Sequence, residues 1–123
     1  PETDLAHLAG CAFSMNDAVH GSSRGNLIYN DEMRTNQKDI FLAGDICGIE
    51  EASSAMEEGR LAGLSVALDL GLIDEKEYKT EKADIHKSLL DLRSGPHGER
   101  GRQQTTRAWR DYAQQDKLIT KGN

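Results

Sequence analysis

The chain has few of the residue patterns that mark common catalytic and metal-binding classes. Its two cysteines, Cys11 and Cys47, form no CxxC pair, so a zinc or iron–sulfur site would need ligands from elsewhere. No HExxH or GxSxG pattern occurs, and the four histidines stand in separate segments. We therefore assign no metal site and no catalytic residue, and read the histidines as ordinary side chains: His7, His20, His86 and His97.

An excess of basic residues is also absent. The 15 Lys and Arg residues against 21 Asp and Glu give a net charge of −6, which argues against nucleic acid or an anionic membrane as a partner. No signal sequence or long apolar span is visible. Aromatic residues make up 5% and hydrophobic residues 37% of the chain, so the core is lean. We expect part of the core to lie outside these residues.

The most informative segment, residues 35–67, predicts a strand, an acidic turn and a helix in succession. Residues 40–43 form a short apolar run typical of a buried strand, Gly44 and Asp45 follow, and a long helix is predicted from about residue 53 to residue 70. A carboxylate at the carboxyl end of a buried strand can accept hydrogen bonds from ligand hydroxyls. The free N–H groups of the next helix favour anionic or carbonyl oxygen. This pattern predicts a cofactor site.

Small residues at helical spacing predict the packed face of this long helix. Gly59 in a helix interior costs up to ~1 kcal/mol relative to Ala, so close contact with a sheet or with a missing domain is expected there. Glu57, Glu58 and Arg60 are expected on the solvated side. Gly71 is expected to stop the helix. The small-residue face consists of Ala52, Ala55, Met56, Gly59, Ala62, Gly63, Val66 and Ala67.

Three shorter elements are expected before this segment. A short helix through residues 3–11, capped by Thr3 or Asp4, would turn Leu5, Leu8 and Ala9 inward. Residues 26–30 read as a strand after a flexible turn at residues 21–25, and a turn at residues 30–34 and a loop at residues 35–39 follow. Arg34 is interpreted as a surface residue.

Two helices are expected in the polar C-terminal third. An amphipathic helix over residues 83–92 would bury Ile85, Leu89 and Leu92 on one side, and the sequence Gly-Pro-His-Gly at residues 95–98 would end it. A last helix over residues 103–115 would offer Trp109 and Tyr112 to a partner surface. This tail is either an arm that packs on another subunit or a loosely ordered end.

The acidic turn and the helix after it resemble a known cofactor motif. Thr35, residues 40–45, Gly48, Ala55, Gly59, Arg60 and residues 62–63 are similar to the second flavin-binding motif of the two-dinucleotide-fold flavoproteins, the group that includes glutathione and thioredoxin reductases. Residues 1–5, 8–11 and 58–64 resemble the FAD subunits of amine and amino-acid dehydrogenases. These are the opine oxidase, hydrogen cyanide synthase, dye-linked proline dehydrogenase and sarcosine oxidase alpha type.

The resemblance implies an α/β fold, the returning C-terminal part of a Rossmann-like FAD-binding domain in residues 1–75, with a polar helical appendix in residues 76–123. The GxGxxG pattern that holds the pyrophosphate in this family is absent. We therefore expect the chain to be the C-terminal piece of a larger, cytoplasmic flavoprotein, incomplete without an N-terminal βαβ unit. Alone, it is expected to bind FAD weakly and to be inactive.

The same resemblance implies the site residues. Asp45 would accept a hydrogen bond from a ribityl hydroxyl, and the N–H groups near Ala52 and Ser53 would face the flavin carbonyl and N1. With Gly44 and Gly48, these are the expected FAD-binding residues. A small-molecule substrate would lose a hydride to FAD, and further subunits or self-association are expected. The substrate, the electron acceptor and the oligomeric state do not follow from the sequence.

Two alternatives stay open at this point. The chain could belong to an NAD(P)H:acceptor oxidoreductase of the pyridine nucleotide-disulfide reductase type, or to a non-catalytic binding or assembly module in which Asp45 caps backbone N–H groups. Both cysteines are interpreted as small buried residues. Cys47 has a second interpretation as a thiol of lowered pKa beside the flavin, and a Cys11–Cys47 disulfide is compatible with the sequence.

Overall fold

Helices predominate in the computed structural model, which describes residues 2–14 and 25–121. Two short antiparallel strands form the sheet, Phe13–Ser14 (β1) and Asn26–Leu27 (β2), and 3-10 turns cover Gly44–Cys47 and Pro96–Gly98. The described ranges contain no parallel sheet of a dinucleotide-binding domain. His20 and most of the turn predicted at residues 21–25 lie outside them. The α-helices are Asp4–Leu8 (α1), Ala52–Asp69 (α2), Glu75–Leu92 (α3) and Glu99–Lys121 (α4).

Residues 40–43 do not form the buried strand that the sequence predicts. A single bridge joins Phe41 to Arg34, and the Leu42 amide donates to the Met33 carbonyl oxygen at 3.0 Å. Leu42 is buried, but a strand needs a ladder of backbone partners. Within the described ranges only this short loop pairs with it.

The strand predicted at residues 26–30 is also shorter than expected, because only its first two residues pair with β1. The turn at residues 30–34 is confirmed, and the Asn30 side-chain oxygen accepts the Arg34 amide there at 2.9 Å. Thr35 closes the following loop, since its buried hydroxyl donates to the Ile40 carbonyl oxygen at 2.8 Å.

Helix α2 has the extent and the end that the sequence predicts. Gly71 has a φ of +72°, its amide donates to the Leu68 carbonyl oxygen, and the Leu72 amide donates to that of Ala67. These two bonds form a Schellman motif, which satisfies the last carbonyl groups of the helix.

Helices α3 and α4 are longer than predicted. Helix α3 begins eight residues before the expected start, because the Asp74 carboxylate caps it by accepting the Glu77 amide at 2.8 Å. It ends before Gly95, which has a φ of +83°, and the 3-10 turn that contains Pro96. Ile85 and Leu89 are buried as expected, but Leu92 is 42% exposed.

The core lies between α2, α3 and the loop that runs from β2 to Leu42. The prediction for the faces of α2 was wrong for the two glutamates and for Gly59. Glu57 and Glu58 are 7% and 3% exposed, whereas Gly59 is exposed, with no atom of the described residues within 4 Å of its open side. Arg60 is exposed as predicted. The core residues are Ala6, Cys11, Leu27, Tyr29, Met33, Leu42, Leu61, Ile85, Leu89 and Ala108.

The inward face predicted for α1 was also wrong. Leu5 and Leu8 are 79% and 81% exposed, Ala9 is exposed, and Ala6 is the buried residue. The helix is only five residues long, so its orientation follows from its packing and not from a hydrophobic stripe. No helix in the described part of the chain is long and apolar enough to cross a membrane.

Candidate functional site

The predicted cofactor residues lie at the junction of the 3-10 turn and α2. The turn begins at Gly44, which has a φ of +82° that favours glycine, and it packs against α2. A Cβ placed on Gly44 would lie 3.8 Å from the Cβ of Ala55 in the first turns of the helix. Ala52 and Ser53 are the first two residues of α2. The fold therefore brings these predicted residues into neighbouring segments.

The first amides of α2 are free of helical partners. The N-cap residue Glu51 makes no side-chain capping bond, and the first amide bonded along the helix is that of Ala55, which donates to the Glu51 carbonyl oxygen at 3.2 Å. The N–H groups of Ala52 and Ser53 are therefore available to an oxygen acceptor, as is usual in the first turn of a helix.

Asp45 presents an exposed carboxylate in the 3-10 turn that packs against α2. Its main-chain carbonyl oxygen accepts the Gly48 amide at 3.0 Å and closes the turn. The side chain caps no backbone N–H group in the described part of the chain, and the N-cap residue of the turn is Ala43. The carboxylate is thus open to a hydrogen-bond donor from outside.

Gly48 lies under the C-terminal helix. Its φ of +137° favours glycine, and a Cβ there would overlap the side chain of Gln104 from α4. Gly101 of α4 likewise faces the Glu50 carboxylate, which a Cβ at that position would overlap. Helix α4 therefore covers one side of the loop between the turn and α2.

A buried carboxylate of α2 pairs with the residue that follows α3. The Glu58 carboxylate lies 3.4 Å from an Nη atom of Arg93. Arg93 also binds Glu50 through two nitrogens, at 2.6 and 3.0 Å. One guanidinium therefore pairs with two carboxylates. Arg93 is itself 6% exposed.

Burial sets the protonation of this cluster. It raises the pKa of Glu58 to about 7, although Arg93 partly opposes the shift. Burial works against the charge on Arg93, but the hydrogen bonds that it donates to Glu50 and the nearby carboxylates raise its pKa overall. Burial also raises the pKa of Tyr29. Glu58 therefore changes charge near neutral pH while Arg93 stays charged.

The structure corrects one interpretation of the cysteines. Burial and the charge of Glu58 raise the pKa of Cys47, which the position near a helix start had suggested would be lowered. Cys11 is buried, and both thiols are free. Cys47 is thus protonated and is not poised as a nucleophile.

The described histidines form no site. His7 and His97 are exposed, and the Nε2 atom of His86 lies 2.8 Å from the Asp31 carbonyl oxygen. The described ranges contain no group of three or more His, Cys, Asp or Glu residues that could hold a metal ion. The rings of Trp109 and His86 pack edge to face with their centroids 5.6 Å apart, so Trp109 contacts α3 of this chain.

A second polar cluster has a structural role. Arg34, interpreted as a surface residue, is half-buried and binds Asp69 through two nitrogens at 2.7 and 2.8 Å. Tyr78 donates to the Glu32 carboxylate and contacts the Ser65 hydroxyl at 3.1 Å, and burial raises its pKa to about 12. These contacts tie the turn at residues 30–34 to α2 and α3.

An open groove of about 410 Å³ runs between α3 and α4. Its charged groups are engaged within the chain, since Arg93 binds Glu50 and the Asp31 carboxylate binds Lys82 at 2.9 Å. The buried Nε1 atom of Trp109 has no hydrogen-bond partner among the described residues. The groove therefore offers mainly apolar surface and fits a flavin less well than the turn does. Its lining residues are Asp31, His86, Leu89, Leu90, Arg93, Thr105 and Trp109.

Sequence reasoning missed Glu58 and Arg93. Glu58 follows another glutamate in a helix, and Arg93 follows a helix end, so both resemble solvated residues. The one available signal was Gly101, a glycine inside the last helix, which permits close approach of Glu50 and Arg93.

Comparisons with known proteins identify two relatives, both of them the A subunit of an opine oxidase. The chain is 32% identical over 87 residues to the protein of this name from Rhizobium meliloti, and 33% identical over 86 residues to the one from Agrobacterium tumefaciens strain Ach5. The matches cover 71% and 70% of this chain but 16% of each relative. No protein family profile and no solved structure matches the chain.

Proposed function

We propose that this chain is part of an FAD-dependent oxidoreductase of the amine or amino-acid dehydrogenase type, in which it completes the flavin site. The similarity to the two opine oxidase proteins supports the activity class. Because the chain spans about 16% of each relative, the pyrophosphate site is assigned to the remainder of the proposed protein. The 3-10 turn and the start of α2 would supply the flavin end.

The observation that carries this proposal is the packing of the 3-10 turn, with its exposed Asp45 carboxylate, against α2, whose first amides have no helical partners. FAD presents ribityl hydroxyl donors and ring carbonyl acceptors, and the donor and acceptor groups of the turn match both. Asp45 would bind a ribityl hydroxyl, and the N–H groups of Ala52 and Ser53 would face the flavin carbonyl and N1. Gly44 and Gly48 would hold the backbone in the positive-φ conformations that place these groups.

Bound FAD would supply the hydride-accepting chemistry, and the residues of this chain would orient it. The helix amides would stabilise negative charge near the ring, because they are fixed donors that need no reorganisation. Both relatives are named as subunits, which supports the proposal that further subunits accompany this one. Electrons would pass to one of these subunits or to another acceptor.

Neither alternative gains support from a specific observation. A dithiol mechanism would need a reactive thiol, but burial raises the pKa of Cys47. A scaffold function would use Asp45 as a backbone cap, and in the described residues this carboxylate is exposed and caps nothing.

The test is the visible spectrum of the longer protein that contains this chain, purified from its native source. We expect a bound yellow flavin that is bleached anaerobically by an opine, with proline and sarcosine tested in parallel. A protein without flavin that takes up no FAD would refute the proposed function. A flavin bleached by proline or sarcosine, and not by an opine, would keep the reaction class and change the substrate.

A further inference from the structure

The loop at residues 48–51 joins the two parts of the proposed flavin site. The Gly48 amide donates to the Asp45 carbonyl oxygen at 3.0 Å, so the start of the loop is bonded to the turn that carries Asp45. Glu51, at the end of the loop, is the N-cap residue of α2 and directly precedes the first helix amides. A displacement of this loop would therefore change the distance between the Asp45 carboxylate and those amides.

Arg93 restrains this loop through Glu50. Its Nη2 and Nε atoms donate to the two carboxylate oxygens of Glu50, at 2.6 and 3.0 Å. Two bonds from one guanidinium fix both the distance and the direction of the carboxylate. Both side chains are largely buried, so water competes little for these bonds.

Helix α4 leaves the space that this pair occupies. A Cβ on Gly101 would overlap the Glu50 carboxylate and lie 3.3 Å from the Nε atom of Arg93. Arg102 of α4 also donates to the Arg93 carbonyl oxygen. Because Gln104 lies against Gly48, two residues of the loop are in contact with groups from the C-terminal helices.

We propose that Arg93 is a positioning residue for flavin, which through Glu50 fixes the loop at residues 48–51 between Asp45 and the first amides of α2. This inference rests on the proposed FAD site. It adds that residues after α3 contribute to the affinity for flavin, although Arg93 acts through Glu50 and makes no contact with the cofactor.

The loop should affect reduced flavin more than oxidised flavin. The first amides of α2 are proposed to face the flavin carbonyl and N1, where negative charge collects on reduction. Donors stabilise that charge best when they do not have to reorient. A loosened loop should therefore weaken the binding of reduced FAD more than that of oxidised FAD, and so lower the reduction potential.

The experiment compares Glu50→Gln with Asp69→Asn in the longer protein. Each variant removes the charge of one carboxylate that an arginine binds through two nitrogens, because Asp69 binds Arg34 at 2.7 and 2.8 Å. Asp69 is the last residue of α2, about 25 Å along the helix from Ala52 at 1.5 Å per residue. Asp69→Asn is therefore the matched control for loss of an ion pair without displacement of the loop.

Titration of FAD into the deflavinated protein and potentiometry of the bound flavin are the two measurements. Glu50→Gln should bind oxidised FAD about tenfold more weakly, because the loop loses a charge-assisted restraint. The loss for reduced FAD should be about tenfold larger still, which corresponds to a reduction potential about 30 mV lower for a two-electron couple. Asp69→Asn should keep the affinity and the potential of the wild type.

Gly101→Ala is a second variant that keeps every charged group. Its methyl group would displace the Glu50 carboxylate from Arg93, and the chain should still fold because Ala suits a helix better than Gly. FAD affinity should decrease about as much as in Glu50→Gln. The double variant should lose little more, since both changes act on one contact. Arg93→Lys should give a similar loss, because lysine keeps the charge but not the two-nitrogen geometry.

The outcomes separate this inference from the proposed function. Weaker FAD binding and a lower potential in Glu50→Gln, both absent from Asp69→Asn, support the proposal. Wild-type values in Glu50→Gln, equal losses in the two variants, or weaker binding with an unchanged potential overturn it and leave the FAD site intact. If Glu50→Gln does not fold, the same comparison is made with Gly101→Ala. A wild type that binds no FAD refutes the proposed function and this inference together.

Discussion

At the scale of single residues, Glu58 places an ionisable group in the interior, and the effect of this group on the free energy of unfolding depends on pH. The folded pKa is about 7 against an ordinary value of 4.5, so the folded chain binds the proton more tightly than the unfolded chain does. The contribution of Glu58 to stability is therefore fully present below pH 4.5 and is lost as the pH rises to about 7.

Glu58→Gln should remove this pH dependence. The free energies of unfolding of the variant and the wild type should be similar near pH 4.5, and above pH 7 the variant should be more stable, on the order of 2–3 kcal/mol. Urea unfolding across this range measures the difference, and Glu57→Gln should retain the wild-type slope. A constant difference at all pH values would contradict the assignment.

Asp45 is the residue on which the flavin proposal depends most directly. Asp45→Ala in the longer protein should weaken FAD binding by about ten- to a hundredfold, since a charge-assisted hydrogen bond contributes roughly 1.5–3 kcal/mol. Stability should change little, because the side chain is exposed. Fluorescence titration with FAD measures the affinity, with the exposed Asp39→Ala as control. Wild-type affinity in Asp45→Ala would remove this residue from the site.

At the scale of elements, one side of α2 is buried. The other side, which carries most of the small residues of the helix, is largely exposed to solvent. On their open sides, Gly59 and Gly63 have no atom of the described residues within 4 Å. Gly59→Ala should stabilise the 123-residue chain by ~0.5–1 kcal/mol, because Ala has the higher helix propensity and nothing obstructs its methyl group. Chemical denaturation tests this, and a destabilised variant would indicate a packed surface at this position.

Gly48 is the matched opposite case in the loop before α2. Gly48→Ala should destabilise the chain by roughly 1–3 kcal/mol, because φ is +137° and the methyl group would overlap Gln104. Combining it with Gln104→Ala should recover only the part due to overlap. Thermal unfolding of the single and double variants separates the cost of the overlap with Gln104 from the cost of the backbone conformation. Full recovery would show that the backbone conformation carries no strain.

At the scale of the whole molecule, several large apolar side chains are exposed. Leu5, Leu8 and Met56 are 79%, 81% and 63% exposed. The proposed remainder of the flavoprotein is the surface expected to cover them.

The isolated chain should therefore self-associate as its concentration increases. Light scattering should give an average mass above the 13.5 kDa of the monomer at high concentration. Replacing Leu5 and Leu8 with Ser should reduce the association, because both side chains are largely exposed and support little of the core. A monomer at every concentration would argue against an unpaired docking face.

Local chemistry let the sequence predict several features correctly. The extent of α2 and its stop at Gly71 follow from helix propensity and from a glycine that adopts positive φ. The end of α3 before Pro96 also follows from local chemistry, because a proline restricts the backbone of the residue before it. The turn at residues 30–34 follows from its polar residues. The cofactor role of the segment with a glycine and a carboxylate before the helix stays a prediction.

Only the tertiary structure decided which side of α2 is buried and which residue pairs with Glu58. The two sides of α2 differ little in hydrophobicity, because one carries small residues and the other carries Ser, Leu and paired Glu residues. Periodicity alone therefore cannot orient the helix. Glu58 is buried because it pairs with Arg93, which lies 35 positions later in the sequence. Such a distant partner cannot be inferred from the residues around Glu58. The strand predicted at residues 40–43 failed for a related reason. A strand exists only where a neighbouring backbone completes its ladder.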